Sequence, residues 1–115
     1  MALPKKYRLR RLQDFDQVKK NGQLYSHPWL GILVFKQEKT GPSQFGFLIS
    51  TKFDRLAVGR NRIKRLLSEV VFSFLTQVKP GFKVVFLPRQ SLKEKPFLKI
   101  KKAVEKLFKE ANLLK

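Results

Sequence analysis

Nine consecutive residues, Val58-Gly59-Arg60-Asn61-Arg62-Ile63-Lys64-Arg65-Leu66, place four cations and an amide beside side chains that must be buried. At 100° per residue, Ile63, Leu66, Leu67, Val70 and Phe74 gather on one face of a helix. Asn61, Lys64, Arg65 and Ser68 gather on the opposite face, flanked by Arg60 and Arg62. No acidic residue interrupts that basic face before Glu69. Cations this dense repel one another unless an external polyanion takes them up. Arginine, lysine and asparagine carry the donors for phosphate oxygens, ribose hydroxyls and base edges. The chemistry these residues suit is nucleic-acid binding.

A charge run on a helix is often only a solvated face, so composition has to decide. The 115 residues hold 26 Lys+Arg against 8 Asp+Glu, a formal charge of +18. Such an excess destabilises the compact chain by self-repulsion and creates a field that captures polyanions. A membrane surface would also attract it. However, no apolar run approaches the roughly 20 residues of a spanning helix, and Met1-Ala2-Leu3-Pro4-Lys5-Lys6 lacks a signal-peptide core. There is no cysteine, hence no disulfide framework and no thiolate metal site. With no export signal, the cytoplasm is the expected compartment. A hydrophobic fraction of 43% with eleven Phe argues against a disordered basic tail. The length suits one domain, residues 1–115, burying about two-thirds of its unfolded surface.

Other chemistry is thin. Asp14 and Asp16 point roughly 200° apart on a helix and do not converge on a metal. The single histidine, His27, precedes Pro28 and reads as a turn residue rather than a general base. No nucleophile–base set can be assembled. The period-two stripe at 45, 47 and 49 reads as a buried sheet face. Phe72 projects toward the polar side of the central helix.

The elements that position the basic face follow from pattern. Residues 1–11 form a basic arm in which Tyr7 and Leu9 alternate with cations, so it is expected to lie extended along the body. A short helix carries Leu12, Phe15 and Val18 inward and stops at Asn21-Gly22. Residues 23–26 make a brief strand. The apolar runs Trp29 to Phe35 and Phe45 to Ser50 flank Thr40-Gly41-Pro42-Ser43, a turn signal, and are expected to pair as antiparallel neighbours. The central helix starts after Asp54 as N-cap and ends before Pro80-Gly81. Extending it back that far puts Leu56 and Gly59 on the side of Ile63, where glycine would let the helix approach the sheet. Lys83 to Pro88 is a buried strand. A last helix begins near Pro96, with Phe97, Ile100, Val104, Leu107, Phe108 and Ala111 on one face and Lys99, Lys102, Lys106 and Lys109 on the other. The order α-β-β-β-α-β-α describes an α+β sandwich with a mixed sheet.

On these residues the chain resembles the protein subunit of bacterial ribonuclease P, which helps remove the 5′ leader of precursor tRNA. Ala57-Val58-Gly59-Arg60-Asn61-Arg62-Ile63-Lys64-Arg65-Leu66-Leu67-Ser68-Glu69 looks like the family's AVxRNRxKRxxRE signature. Asp14-Phe15, Val18 and Gly22 are similar to its first helix, and Gly46, Ile49, Ser50 and Lys52 to its strand before the signature. The resemblance implies a four-stranded two-layer fold with a left-handed strand–helix–strand crossover, against the usual hand of parallel connections. It implies that hydrolysis belongs to the RNA subunit with Mg²⁺ bound mainly there, and that the protein alone is inactive. It assigns Arg60, Asn61, Arg62, Lys64 and Arg65 to the catalytic RNA. A cleft between the first helix, the sheet and the signature helix takes the single-stranded leader, with Phe15, Lys19 and Leu33 at the matching positions. The chain departs from the family at Ser68, where arginine is common, and at Lys19 and Leu33, where aromatics are. Its linker Lys52-Phe53-Asp54-Arg55-Leu56 is one residue longer than usual, without the customary glycine, and Thr51 replaces a lysine. Taken without the resemblance, the residues also suit a ribosomal or assembly protein. A DNA-binding module is less suited, because no second helix lies a short turn before the basic one.

Overall fold

Two strands lie at the centre of the sheet, and their alternation divides the core between its two faces. The structure, a computed structural model, describes residues 3–37 and 41–115. Strand β2 (Leu30–Lys36) pairs antiparallel with β4 (Phe82–Pro88) along its whole length, Leu30 opposite Pro88 and Lys36 opposite Phe82. Successive side chains in a strand point to opposite faces. Leu30, Ile32, Val34, Val84 and Phe86 therefore enter one apolar cluster, and Leu33, Phe35, Val85 and Leu87 the other. β1 (Gln23–Ser26) joins β2 antiparallel, and β3 (Gln44–Phe47) joins β4 in parallel, giving the order β1-β2-β4-β3.

This order corrects one expectation: β2 and β3 are not neighbours. Val84, Val85 and Phe86 are fully buried, so β4 needs cover on both faces and at both edges, which only a central position supplies. The chain before β3 is also committed to β4. Ser43 Oγ donates to the Lys79 carbonyl (2.6 Å) and accepts from the Phe82 amide (3.0 Å), while the Gly81 amide donates to the Gly41 carbonyl (2.8 Å). Gly41, Pro42 and Ser43 thus prepare a parallel pairing rather than a hairpin; Thr40 lies outside the described residues.

Helix α1 (Leu12–Asn21) ends where the pattern predicts and starts without a side-chain cap. Val18 is its buried contact, but Leu12, in the first turn, is 82% exposed. Lys83 Nζ, largely shielded, docks the helix by donating to Asp14 Oδ1 (2.8 Å) and Gln17 Oε1 (2.9 Å). On the other face lie α2 (Ala57–Phe74) and α3 (Phe97–Glu110). Their buried residues include Ile63, Leu67, Val70, Val71 and Phe74 from α2 and Ile100, Val104, Leu107 and Phe108 from α3. The fold is α+β with a mixed four-stranded sheet, and α1 adds a partial layer to the sheet–helix sandwich. Phe45, Phe47 and Ile49 belong to the main core, as their period of two predicts. On α3, Lys99, Lys102, Lys106 and Lys109 are exposed; Phe97, expected inward, is partly exposed at the start of the helix.

The arm lies along the sheet edge. A 3₁₀ turn at Lys5–Tyr7 precedes a parallel bridge of Arg8 to Phe45, and the Leu9 amide donates to the Phe45 carbonyl (2.9 Å). Leu3 and Leu9 are buried, while Lys5, Lys6, Arg8, Arg10 and Arg11 stay outside.

Candidate RNA interface

Helix α2 begins later than its cap signal suggests. Leu56, not Asp54, occupies the N-cap position, and Asp54 Oδ1 accepts from the Leu56 amide (3.0 Å) in a turn of its own. Such local bonds let aspartate compete with helix formation. That amide, with the Lys93 ammonium next, holds the Asp54 carboxyl below its ordinary pKa. Starting at Ala57 leaves Leu56 70% exposed. Gly59 is corrected with it. A Cβ there would meet the Asp54 carboxylate, not the sheet.

The basic face forms as the spacing predicts. Asn61, Arg62, Lys64 and Arg65 are exposed, opposite Ile63, Leu67, Val70 and Phe74. Leu66 is half-buried rather than buried. No hydrogen bond or ion pair among the described residues engages the charged groups of Arg62, Lys64 or Arg65. Arg60 differs, because its Nη1 donates to the carbonyls of Asp54 (2.8 Å) and Arg55 (3.0 Å) and braces the linker. Ser68 is buried instead of lying on the exposed face. Its Oγ donates to the Lys64 carbonyl one turn back (2.8 Å), so a small side chain can be sealed into the wall with its hydroxyl satisfied.

Beside this face opens a cleft of about 490 Å³ between the arm, α1, β3 and α2. Leu3, Leu9, Phe15, Gly46 and Phe47 give it apolar walls; Arg8, Arg10, Lys64, Arg65 and Ser68 complete the lining. Among the described residues no carboxylate lines it. Phe15 fits because Gly46 has no side chain: a Cβ at Gly46 would approach the Phe15 ring to 2.5 Å. The structure thus brings Phe15 together with Lys64 and Arg65, three positions the sequence singles out. Lys19 is exposed on α1 and does not line the cleft, nor does Leu33. Leu33 nevertheless packs on the same apolar cluster as Phe15, on the same face of the sheet. Arg8 and Arg10 were missed as site residues. Their signal is the alternation around Leu9: with Leu9 turned inward, its two neighbours turn to the other side.

With the geometry in place, similarity decides the family. The ribonuclease P family model matches residues 3–112. This chain belongs to the ribonuclease P protein family. The ribonuclease P protein component of Synechocystis sp. is 33% identical over 114 residues, covering 99% of this chain and 92% of that one. That of Symbiobacterium thermophilum is 34% identical over 112 residues, covering 97% and 96%. The ribonuclease P protein of Thermotoga maritima superposes with a TM-score of 0.81 at 26% identity, over 90% of this chain and 96% of that chain. The ribosomal and DNA-module readings are thereby set aside. The tRNA 5′-maturation activity belongs to the ribonuclease P holoenzyme, in which the protein component works with the ribonuclease P RNA.

Remaining candidates take structural places in this ribonuclease P protein. His27 Nδ1 accepts from the Trp29 amide (3.1 Å) and its ring meets Trp29 edge-on at 5.0 Å. Burial first, then nearby Lys106, holds the imidazolium below its usual pKa. Phe72 is 44% exposed on α2. Gly46→Ala is expected to push the Phe15 ring out of position without unfolding the protein. An unmoved Phe15 ring in that variant, read from its aromatic proton shifts, would contradict this packing.

Proposed function

We propose that α2 docks this protein on the catalytic RNA through Arg60, Asn61, Arg62, Lys64 and Arg65, while the adjoining cleft receives the unpaired 5′ leader of precursor tRNA. One observation carries the reading: among the described residues, an apolar cleft holding Phe15 is lined by four cations and no carboxylate. Single strands are held in this way, by a stacking platform within a positive groove, and stacking contributes roughly 1–3 kcal/mol per base. Lys64 and Arg65 belong to both surfaces and bring leader and catalytic RNA together. Leu33 continues the apolar face beyond the cleft, and Lys19 offers a phosphate contact on α1.

Fixed cations partly replace the counterions that two RNAs would otherwise have to condense, so the protein lowers the salt and Mg²⁺ demand of the reaction. Asp14 is taken by Lys83 and Asp54 by Lys93, and no three carboxylate or imidazole groups converge among the described residues. The hydrolytic step and the Mg²⁺ it uses are assigned to the RNA on the family resemblance, and the protein alone is expected to be inert. The cytoplasm, where tRNA precursors are made, is the matching compartment; among the described residues no helix is long and apolar enough to cross a membrane.

Phe15→Ala tests the leader assignment. It is expected to weaken binding of precursor tRNA to the holoenzyme by about 1–3 kcal/mol and to spare mature tRNA, which has no leader. Equal losses for both would refute the cleft as the leader site.

A further inference from the structure

Gly59 is out of place by local rules. It sits in the first turn of an 18-residue helix, where alanine would be favoured, and its backbone requires no special conformation. What requires glycine is the Asp54 carboxylate, which occupies the space of the missing Cβ. That carboxylate is held from two further directions. Oδ1 accepts from the Leu56 amide at 3.0 Å, and Oδ2 pairs with Lys93 Nζ at 3.0 Å. Lys93 comes from the 3₁₀ turn Gln90–Glu94, anchored in the core by fully buried Leu92. On the linker side, Phe53 is buried, and the carbonyls of Asp54 and Arg55 hold the Arg60 guanidinium. Arg62 lines the same small cavity, about 100 Å³, as Asp54, Gly59 and Lys93.

We propose that Asp54 is a positioning residue for RNA docking: seated against Gly59 and tied to Lys93, it fixes the direction in which the start of α2 presents Arg60 and Arg62. The proposal rests on the docking role assigned above. Lys93 is half-exposed, and an exposed ion pair contributes little to stability. Its purpose lies in orientation. Arginines held in place before RNA arrives lose less freedom on binding, so affinity is gained without new contacts.

The test measures affinity for the ribonuclease P RNA and its salt dependence, together with melting temperature. The variants are Asp54→Ala, Lys93→Ala, Gly59→Ala and the double Asp54→Ala/Gly59→Ala, with Arg62→Ala as reference. Asp54→Ala and Lys93→Ala are expected to weaken RNA binding roughly tenfold, and in Asp54→Ala the salt slope should stay that of the wild type, because no cation is removed. Lys93→Ala leaves the Asp54–Leu56 turn intact and reports even if Asp54→Ala folds poorly. Gly59→Ala alone should lower both melting temperature and affinity by expelling the carboxylate. In the double variant the clash is gone, so the melting temperature recovers while RNA affinity stays low. Recovery of both would overturn the proposal, reducing Asp54 to a space filler. Wild-type affinity in Lys93→Ala and Asp54→Ala, with Arg62→Ala weakened, would overturn it while leaving the docking role standing. Wild-type binding by Arg62→Ala as well would overturn the docking role itself.

Discussion

An Arg62→Ala/Arg65→Ala variant is expected to bind the ribonuclease P RNA about 100-fold more weakly than the parent, roughly tenfold for each charge-assisted phosphate contact. Both guanidinium groups are exposed and have no partner among the described residues, so their removal breaks nothing inside the protein. It also lowers a net charge of +18 by two, which relieves self-repulsion, and the melting temperature should not fall. The salt slope should become shallower by about 2. Arg60→Ala makes the contrast. Because Arg60 also braces the linker carbonyls of Asp54 and Arg55, its loss should lower affinity and melting temperature together. Filter binding across a salt series, with thermal unfolding alongside, separates the two cases. An unchanged salt slope in the double variant would remove Arg62 and Arg65 from the interface.

Phe108→Ala is expected to produce the largest loss of stability. The ring is fully buried where α2, α3 and the sheet meet, 5.7 Å from Phe74, 6.0 Å from Phe86 and 6.2 Å from Phe45 between centroids. Truncating such a phenylalanine costs about 3–5 kcal/mol, against about 5–15 kcal/mol for the whole of a typical domain. The melting temperature should drop by roughly 10–30 °C. RNA binds only the folded state, so it should restore part of that loss by mass action. A shift of a few degrees by circular dichroism would mean that Phe108 is not the centre of the core.

Local periodicity made much of this legible. The end of α1, the strand at residues 23–26, most of the inward face of α3 and the exposed run of Asn61, Arg62, Lys64 and Arg65 each follow from period and stop signals. The sheet order does not. The turn signal before β3 suggests a hairpin, but the parallel partner is chosen by Ser43 and Gly41 bonding to residues nearly 40 positions later. Leu12 has the right spacing for burial, yet helical period cannot say which turns of a helix find a surface to cover them. Asp54 read as a cap because its type and place suit one. Only the folded chain brings Lys93 and Gly59 to its carboxylate. Phe15 was legible as a cleft residue through family resemblance, whereas its neighbours Arg8 and Arg10 required knowing that the arm packs Leu9 against β3.

The most direct test is cleavage of a leader-bearing precursor tRNA by the cognate ribonuclease P RNA at low Mg²⁺, with and without this protein. The account predicts strong stimulation by the wild type, and its loss in the folded Arg62→Ala/Arg65→Ala variant. Absence of stimulation by well-folded wild-type protein would contradict it.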